Sequence, residues 1–220
     1  MNYKLAIFDL DGTLLDTLED LEQSLNAALL QNALPPRTLE EVRRFVGNGI
    51  RKLVERGVPS GTDKTVTDKV YNDFCIYYAK HNADYTYIYR GIPELLDELK
   101  KNGCRLAVVS NKADNAVQAL CNRFFKGIFD MVIGAKDGIP KKPAPDSVFE
   151  ILKALRVQKE EAVYIGDSEV DIETAENAGL RSVIVDWGFR DRAVLVARGA
   201  DRLVSSCTEL KAEILKPRTF

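Results

Sequence analysis

The sequence predicts an α/β fold, a parallel sheet core interrupted by an inserted helical domain. Two patterns and the chain length predict it. Five short β-rich runs, at 4–8, 105–109, 131–133, 162–165 and 182–185, each give way to polar residues or glycine and usually then to helical spacing. That alternation is the signature of a parallel sheet covered by helices, a Rossmann-like core. Between about Asp16 and Tyr89 the strand signal stops and apolar residues recur at helical intervals. At 220 residues, 45% hydrophobic and 29% charged, the chain can bury a full core and carry one insertion.

The first strand run ends in Phe8-Asp9-Leu10-Asp11-Gly12-Thr13. Ligands of open α/β sheets bind just beyond the carboxyl ends of the strands, so the residues at the end of each run carry the chemistry. Two carboxylates two residues apart do not both ionise freely unless a cation intervenes, and such a pair can supply a nucleophile and a general acid. The same residues also suit an Asp-Gly turn with solvated acids. The chain then turns helical: Leu18, Leu21, Leu25 and Leu29 share one face, and Val42, Phe45, Val46, Ile50, Leu53 and Val54 continue the spacing. Hinges are expected at 15–18 and 81–89, which divides the chain into a core of 1–15 with 87–220 and a helical domain of 16–86. Tyr71, Phe74, Tyr77 and Tyr78 fall at helical spacing and read as packing. Pro93, just after Gly91, suits the first turn of a helix that resumes the core.

Three further runs end in chemistry. Val109-Ser110-Asn111-Lys112 offers a hydroxyl and backbone N–H groups for a phosphate, although Ser and Asn are equally common helix caps. In Pro140-Lys141-Lys142-Pro143-Ala144-Pro145-Asp146 prolines stiffen both sides of two lysines; Lys142 is the candidate phosphate partner and Lys141 the solvated one. Ile165-Gly166-Asp167-Ser168-Glu169-Val170-Asp171 places one acid after a buried run and another four residues on, one helical turn away and on the same face. Oxygen ligands of this kind suit Mg²⁺, while helix capping by Asp167 is the plainer use of the same residues.

Composition narrows the classes. The 31 Lys and Arg nearly balance the 33 Asp and Glu, so neither a nucleic-acid face nor a polybasic membrane patch is expected. No apolar run approaches the ~20 residues of a bilayer span, and the opening MNYKLAIFDLDG lacks signal-peptide order. A cytoplasmic protein is expected. The four cysteines and single histidine show no zinc spacing, and the cysteines read as reduced packing residues.

Together DLDGT, SNK, KPAPD and GDSEVD resemble the haloacid dehalogenase (HAD) superfamily in order and spacing, over essentially the whole chain. The resemblance implies a HAD-like fold and Mg²⁺-dependent phosphatase chemistry. In it Asp9 is the nucleophile and Asp11 the general acid and then base. Asp9, the backbone carbonyl of Asp11, and Asp167 hold Mg²⁺. Ser110, with backbone N–H groups near Asp11 and Asn111, binds phosphoryl oxygens. Lys142 neutralises charge on Asp9 and the phosphate, Asp171 stands behind the metal ligands, and Thr13 helps bind the loop. The acid at Asp11 separates this chain from dehalogenases and phosphonate hydrolases, which lack it.

The helical insertion resembles the small cap of the phosphoglycolate phosphatase and β-phosphoglucomutase branch. Val46-Gly47-Asn48-Gly49-Ile50-Arg51-Lys52-Leu53 is similar to the phosphatase cap loop; the glycines equally break a helix, and Arg51 and Lys52 equally face solvent. The implied partner is a small phosphorylated metabolite, 2-phosphoglycolate first, acted on by a monomer or small homo-oligomer. A mutase returning the phosphoryl group to a bound sugar is the alternative. A non-catalytic binding protein is the third, though none of Asp9, Asp11, Lys142 and Asp167 is lost.

Overall fold

A computed structural model describes residues 3–216 of the chain. They divide into two compact units, Asp16–Tyr87 and the described residues on either side of that segment. The boundary falls in a two-stranded ribbon of β2 (Leu15–Asp16) and β3 (Tyr87–Ile88).

The larger unit begins with β1 (Leu5–Phe8) and, after the ribbon, runs through α5 (Ile92–Lys101), β4 (Arg105–Ala113), α6 (Asp114–Phe124), β5 (Met131–Ala135) and α7 (Asp146–Leu155). It continues with β6 (Ala162–Gly166), α8 (Glu169–Ala178), β7 (Arg181–Val185), α9 (Arg192–Ala197), β8 (Leu203–Val204) and α10 (Cys207–Leu215). The six core strands form one parallel sheet in the order β5-β4-β1-β6-β7-β8. The expected α/β core is present, with β1 at its centre because Leu5, Ala6, Ile7 and Phe8 are apolar on both faces and wholly buried.

Register fixes the site. Phe8 lies opposite Val108 of β4 and Ile165 of β6, so the residues just beyond these three reach the same sheet edge together. One face of the sheet, with Leu5, Ile7, Ala107 and Val109, packs on Val148 and Ile151 of α7 and on Ala175 and Ala178 of α8. Truncating such a core aliphatic side chain to Ala costs about 2–5 kcal/mol. Gly91 adopts the left-handed conformation at φ 86° before α5, and Pro93 sits in that helix's first turn.

Two strand features differ from the sequence reading. The expected run at 105–109 extends to Ala113 through a register shift after Val109, so Ser110 and Asn111 lie in strand and do not cap α6. The ribbon and β8 are two residues long in each strand, too short to show a period of two.

The smaller unit holds α1 (Leu18–Gln31), α2 (Leu39–Phe45), α3 (Ile50–Gly57) and α4 (Lys64–His81). Leu25 and Leu29 of α1, Val42 of α2, Val54 of α3, and Val70 and Phe74 of α4 form its fully buried apolar set. Thr38 and Glu41 make a capping box at α2, and the Asp63 side chain accepts the Thr65 N–H at the start of α4. Asp20, buried in α1, accepts the N–H groups of Tyr85 (3.0 Å) and Thr86 (2.8 Å) and the Thr86 hydroxyl (2.5 Å). That carboxylate holds the returning segment against the first helix. Phe74 and Tyr78 stack with centroids 5.4 Å apart, and Tyr77 stacks on His81 at 4.4 Å.

Candidate active site

Asp9 is the first residue beyond β1, and the shared register brings the β4 residues after Val108 and the end of β6 beside it. The Lys142 ammonium lies 2.9 Å from Asp9 Oδ1 and 2.8 Å from Asp171 Oδ1. Its side chain is 3% exposed, whereas Lys141 faces solvent. The backbone of the lysine loop is tied in place because Asn111 donates to the Lys142 carbonyl (3.1 Å) and Asn177 to that of Pro143 (2.9 Å). Ser110, Asn111, Lys142 and Ser147 line one small cavity.

Asp171 is saturated. Besides Lys142 it accepts the Ser168 hydroxyl (2.6 Å), the N–H groups of Ser168 (3.1 Å) and Asp167 (3.3 Å), and the Tyr164 hydroxyl (3.3 Å). The residue capping α8 is therefore Ser168, answered by Asp171 at the third helical position, and not Asp167. Asp167 is held instead by the Thr13 hydroxyl (3.0 Å) and the Phe189 N–H (2.8 Å). A side chain at Gly12, where φ is 87°, or at Gly188 would run into that carboxylate, so both glycines are required by the close approach. Trp187 donates to the Thr13 carbonyl (3.2 Å), closing the loop pair.

One oxygen from each of Asp9, Asp167 and Asp171 fits within 4.8 Å. Burial pushes the Asp9 carboxyl up to about 7; Lys142 opposes the rise, and Asp171 and Asp11 add to it. Burial, with Asp171 and Asp9 beside it, likewise holds the Asp167 carboxyl well above the usual carboxylate range. The Lys142 ammonium loses water on burial, yet Asp171 and Asp9 keep it charged well beyond ordinary lysine behaviour. Three buried carboxylates around one ammonium leave excess negative charge, which a hard divalent cation would compensate. With Asp171 fully engaged, Asp9 and Asp167 keep oxygen lone pairs for such an ion: Asp9 Oδ1 takes Lys142 and the Leu10 N–H (2.7 Å), and each Asp167 oxygen takes one donor. The donor set fits a metal.

Asp11 stands apart from that acidic group. Its carboxylate pairs with the Lys112 ammonium at 2.5 Å, an interaction that sequence reasoning does not anticipate. Lys112 is visible in the SNK run, but nothing in spacing tells that its side chain crosses from β4 to the loop after β1. The Tyr164 contact is equally illegible, because a tyrosine inside an apolar strand run reads as core.

In the smaller unit Gly47 and Gly49 take φ of 114° and 83°, and Gly49 precedes α3. Asn48 accepts from Arg56 (2.8 Å). Arg51 pairs with Glu55 (3.1 Å) and Asp68 and lies over the Tyr71 ring at 5.1 Å. Lys52 pairs with Glu55 (2.7 Å).

A parallel sheet whose carboxyl edge gathers carboxylates, a buried lysine and a serine of β4 has the equipment of a hydrolase acting on an anionic ester. The chain belongs to the haloacid dehalogenase-like hydrolases, whose sequence profile matches residues 6–185. It is 33% identical to the phosphoglycolate phosphatase of Pseudomonas syringae pv. tomato over 97% of this chain and 83% of that one. A solved structure of a candidate phosphoglycolate phosphatase from Lactobacillus delbrueckii subsp. bulgaricus superposes with a TM-score of 0.94 at 38% identity, covering 99% of this chain and 100% of the other. CbbY from Rhodobacter sphaeroides, solved in complex with phosphate, gives a TM-score of 0.74 at 29% identity over 94% and 96% of the two chains. On that footing the enzyme is a phosphoric monoester hydrolase. No helix among the described residues is long and apolar enough to cross a membrane.

Proposed function

We propose that this enzyme is a Mg²⁺-dependent phosphatase of small phosphate monoesters, 2-phosphoglycolate foremost, working through an aspartyl phosphate on Asp9. The observation that carries the reading is the Asp9 carboxylate at the sheet edge, held at 2.9 Å by a buried lysine and facing Asp167. A phosphate dianion repels a carboxylate nucleophile, so charge must be screened before the two meet. Lys142 screens Asp9 from one side. Asp9, Asp167 and the backbone carbonyl of Asp11 would hold Mg²⁺, which when bound neutralises the phosphoryl charge.

In the first transfer an Asp9 oxygen bonds to phosphorus while the ester bond breaks and the leaving oxygen takes a proton from Asp11. In the second, Asp11 takes a proton from water as the water oxygen attacks phosphorus, the Asp9–phosphorus bond breaks and phosphate is released. The covalent intermediate divides one difficult hydrolysis into two easier displacements. Ser110 and Asn111 hold the phosphoryl oxygens, and Asp171 keeps Lys142 aimed at Asp9. The 16–86 segment acts as the cap, with Gly47, Asn48, Gly49 and Arg51 choosing the substrate. Phosphoglycolate is preferred as substrate because the curated relatives carry that name along nearly the whole chain.

The test is phosphate release from a panel of small esters, with Mg²⁺ and with EDTA. Mg²⁺-dependent release that is fastest with 2-phosphoglycolate supports the reading. Equal release in EDTA removes the metal from it, and a different best ester removes the substrate. Isomerisation dependent on a bisphosphate activator replaces it with a mutase.

A further inference from the structure

Among the described residues two lysines are buried, Lys142 and Lys112, and Lys112 has no role in the steps above. Lys112 sits in the extension of β4 beyond the register shift, with its side chain 3% exposed and its ammonium 2.5 Å from Asp11 Oδ1. Its backbone N–H donates to the Ser110 hydroxyl at 3.3 Å, which couples the lysine to the phosphate-binding residue two positions earlier. Asp11 is held from its own side as well. It bridges to Leu15, and the Gly12 N–H donates to the Leu15 carbonyl at 2.8 Å. A lysine this deeply enclosed is rare unless it is paired, and here its pair is with the residue assigned to proton transfer.

We propose that Lys112 is a positioning residue for Asp11, gripping Oδ1 so that the carboxyl is held where it exchanges a proton with the leaving group and then with water. The two buried lysines thus divide the work: Lys142 aims the nucleophile, and Lys112 aims the acid and base. The inference rests on the phosphatase reading, in which Asp11 meets the ester oxygen as the Asp9–phosphorus bond forms. Proton transfer contributes about 10²–10⁴-fold to such reactions, and a displacement of about 1 Å can cost about 10²-fold. Loosening Asp11 therefore harms only reactions that need its proton.

The experiment compares kcat/KM, which spans only the first transfer, for an alkyl ester such as 2-phosphoglycolate and for p-nitrophenyl phosphate, whose phenolate departs without a proton. Lys112→Met is expected to lower the alkyl value about 30–100-fold and the aryl value by less than about 3-fold. Lys112→Arg keeps the charge in the slot and is expected to show the same selective loss at about 3–10-fold, which preserves the test if the methionine variant does not fold. In an Asp11→Asn background Lys112→Met is expected to add nothing to the alkyl loss. Equal losses on both esters, no loss on either, or a further full loss in the Asp11→Asn background overturns the assignment while leaving the phosphatase intact. A wild-type enzyme that hydrolyses neither ester overturns both.

Discussion

Asp9 gathers opposed electrostatic effects: burial raises its carboxyl to about 7 while Lys142, at 2.9 Å, favours the anion. A neutral amide of the same shape keeps the fold and, under the proposed mechanism, loses the nucleophile. Asp9→Asn is therefore expected to cut phosphate release by at least about 10³-fold with an unchanged circular dichroism spectrum; near-wild-type release would refute the covalent route. The sequence resemblance puts Asp171 behind the metal ligands, and its five donors explain how it can stand there without meeting substrate. Asp9, Asp11 and Asp167 follow β1 and β6, where a polar residue after an apolar run is conspicuous; Ser110 and Asn111 lie within β4, and Lys142 is marked only by its prolines. Lys112 and Tyr164 escape such reading because each contacts its partner across the sheet edge or beneath it, through side-chain directions that no local pattern reports.

At the scale of elements, the capping box at α8 and the strands around β1 do two jobs each, building structure and aiming side chains. The four-residue spacing of Asp167 and Asp171 predicts one helical face. The physical outcome is different, since Asp167 precedes the helix and Asp171 folds back to cap it. In the helical unit Asp20 gathers three hydrogen bonds at 1% exposure. Asp20→Ala is expected to lower the unfolding free energy by about 3 kcal/mol in denaturant titration, because two backbone N–H groups lose a charged acceptor; a loss under about 1 kcal/mol would show those groups re-satisfied by water. Arg51 is committed to Glu55, Asp68 and the Tyr71 face. Under the cap proposal, Arg51→Ala shifts the ratio of kcat/KM between 2-phosphoglycolate and p-nitrophenyl phosphate about tenfold or more, whereas an unchanged ratio leaves Arg51 as a brace between α3 and α4.

For the whole molecule, a metal held by the acidic group would link its binding to stability. An ion bound only by the folded state at about a hundred times its Kd adds about 2.7 kcal/mol, which raises Tm by about 5–10 °C for a chain of this size. Titration with Mg²⁺ in differential scanning fluorimetry is expected to show that rise in wild type and to lose it in Asp167→Asn; an equal rise in the variant would place the ion elsewhere. The sequence by itself determined the α/β class, the helical insertion and the order of the four motifs, because period and strand-end polarity are local properties. Only the tertiary structure decided which acids share a 4.8 Å cluster, which lysine grips which carboxylate, and that the SNK run extends a strand instead of capping a helix. Those outcomes depend on register between β1, β4 and β6, and register is set by long-range packing that a single segment does not encode.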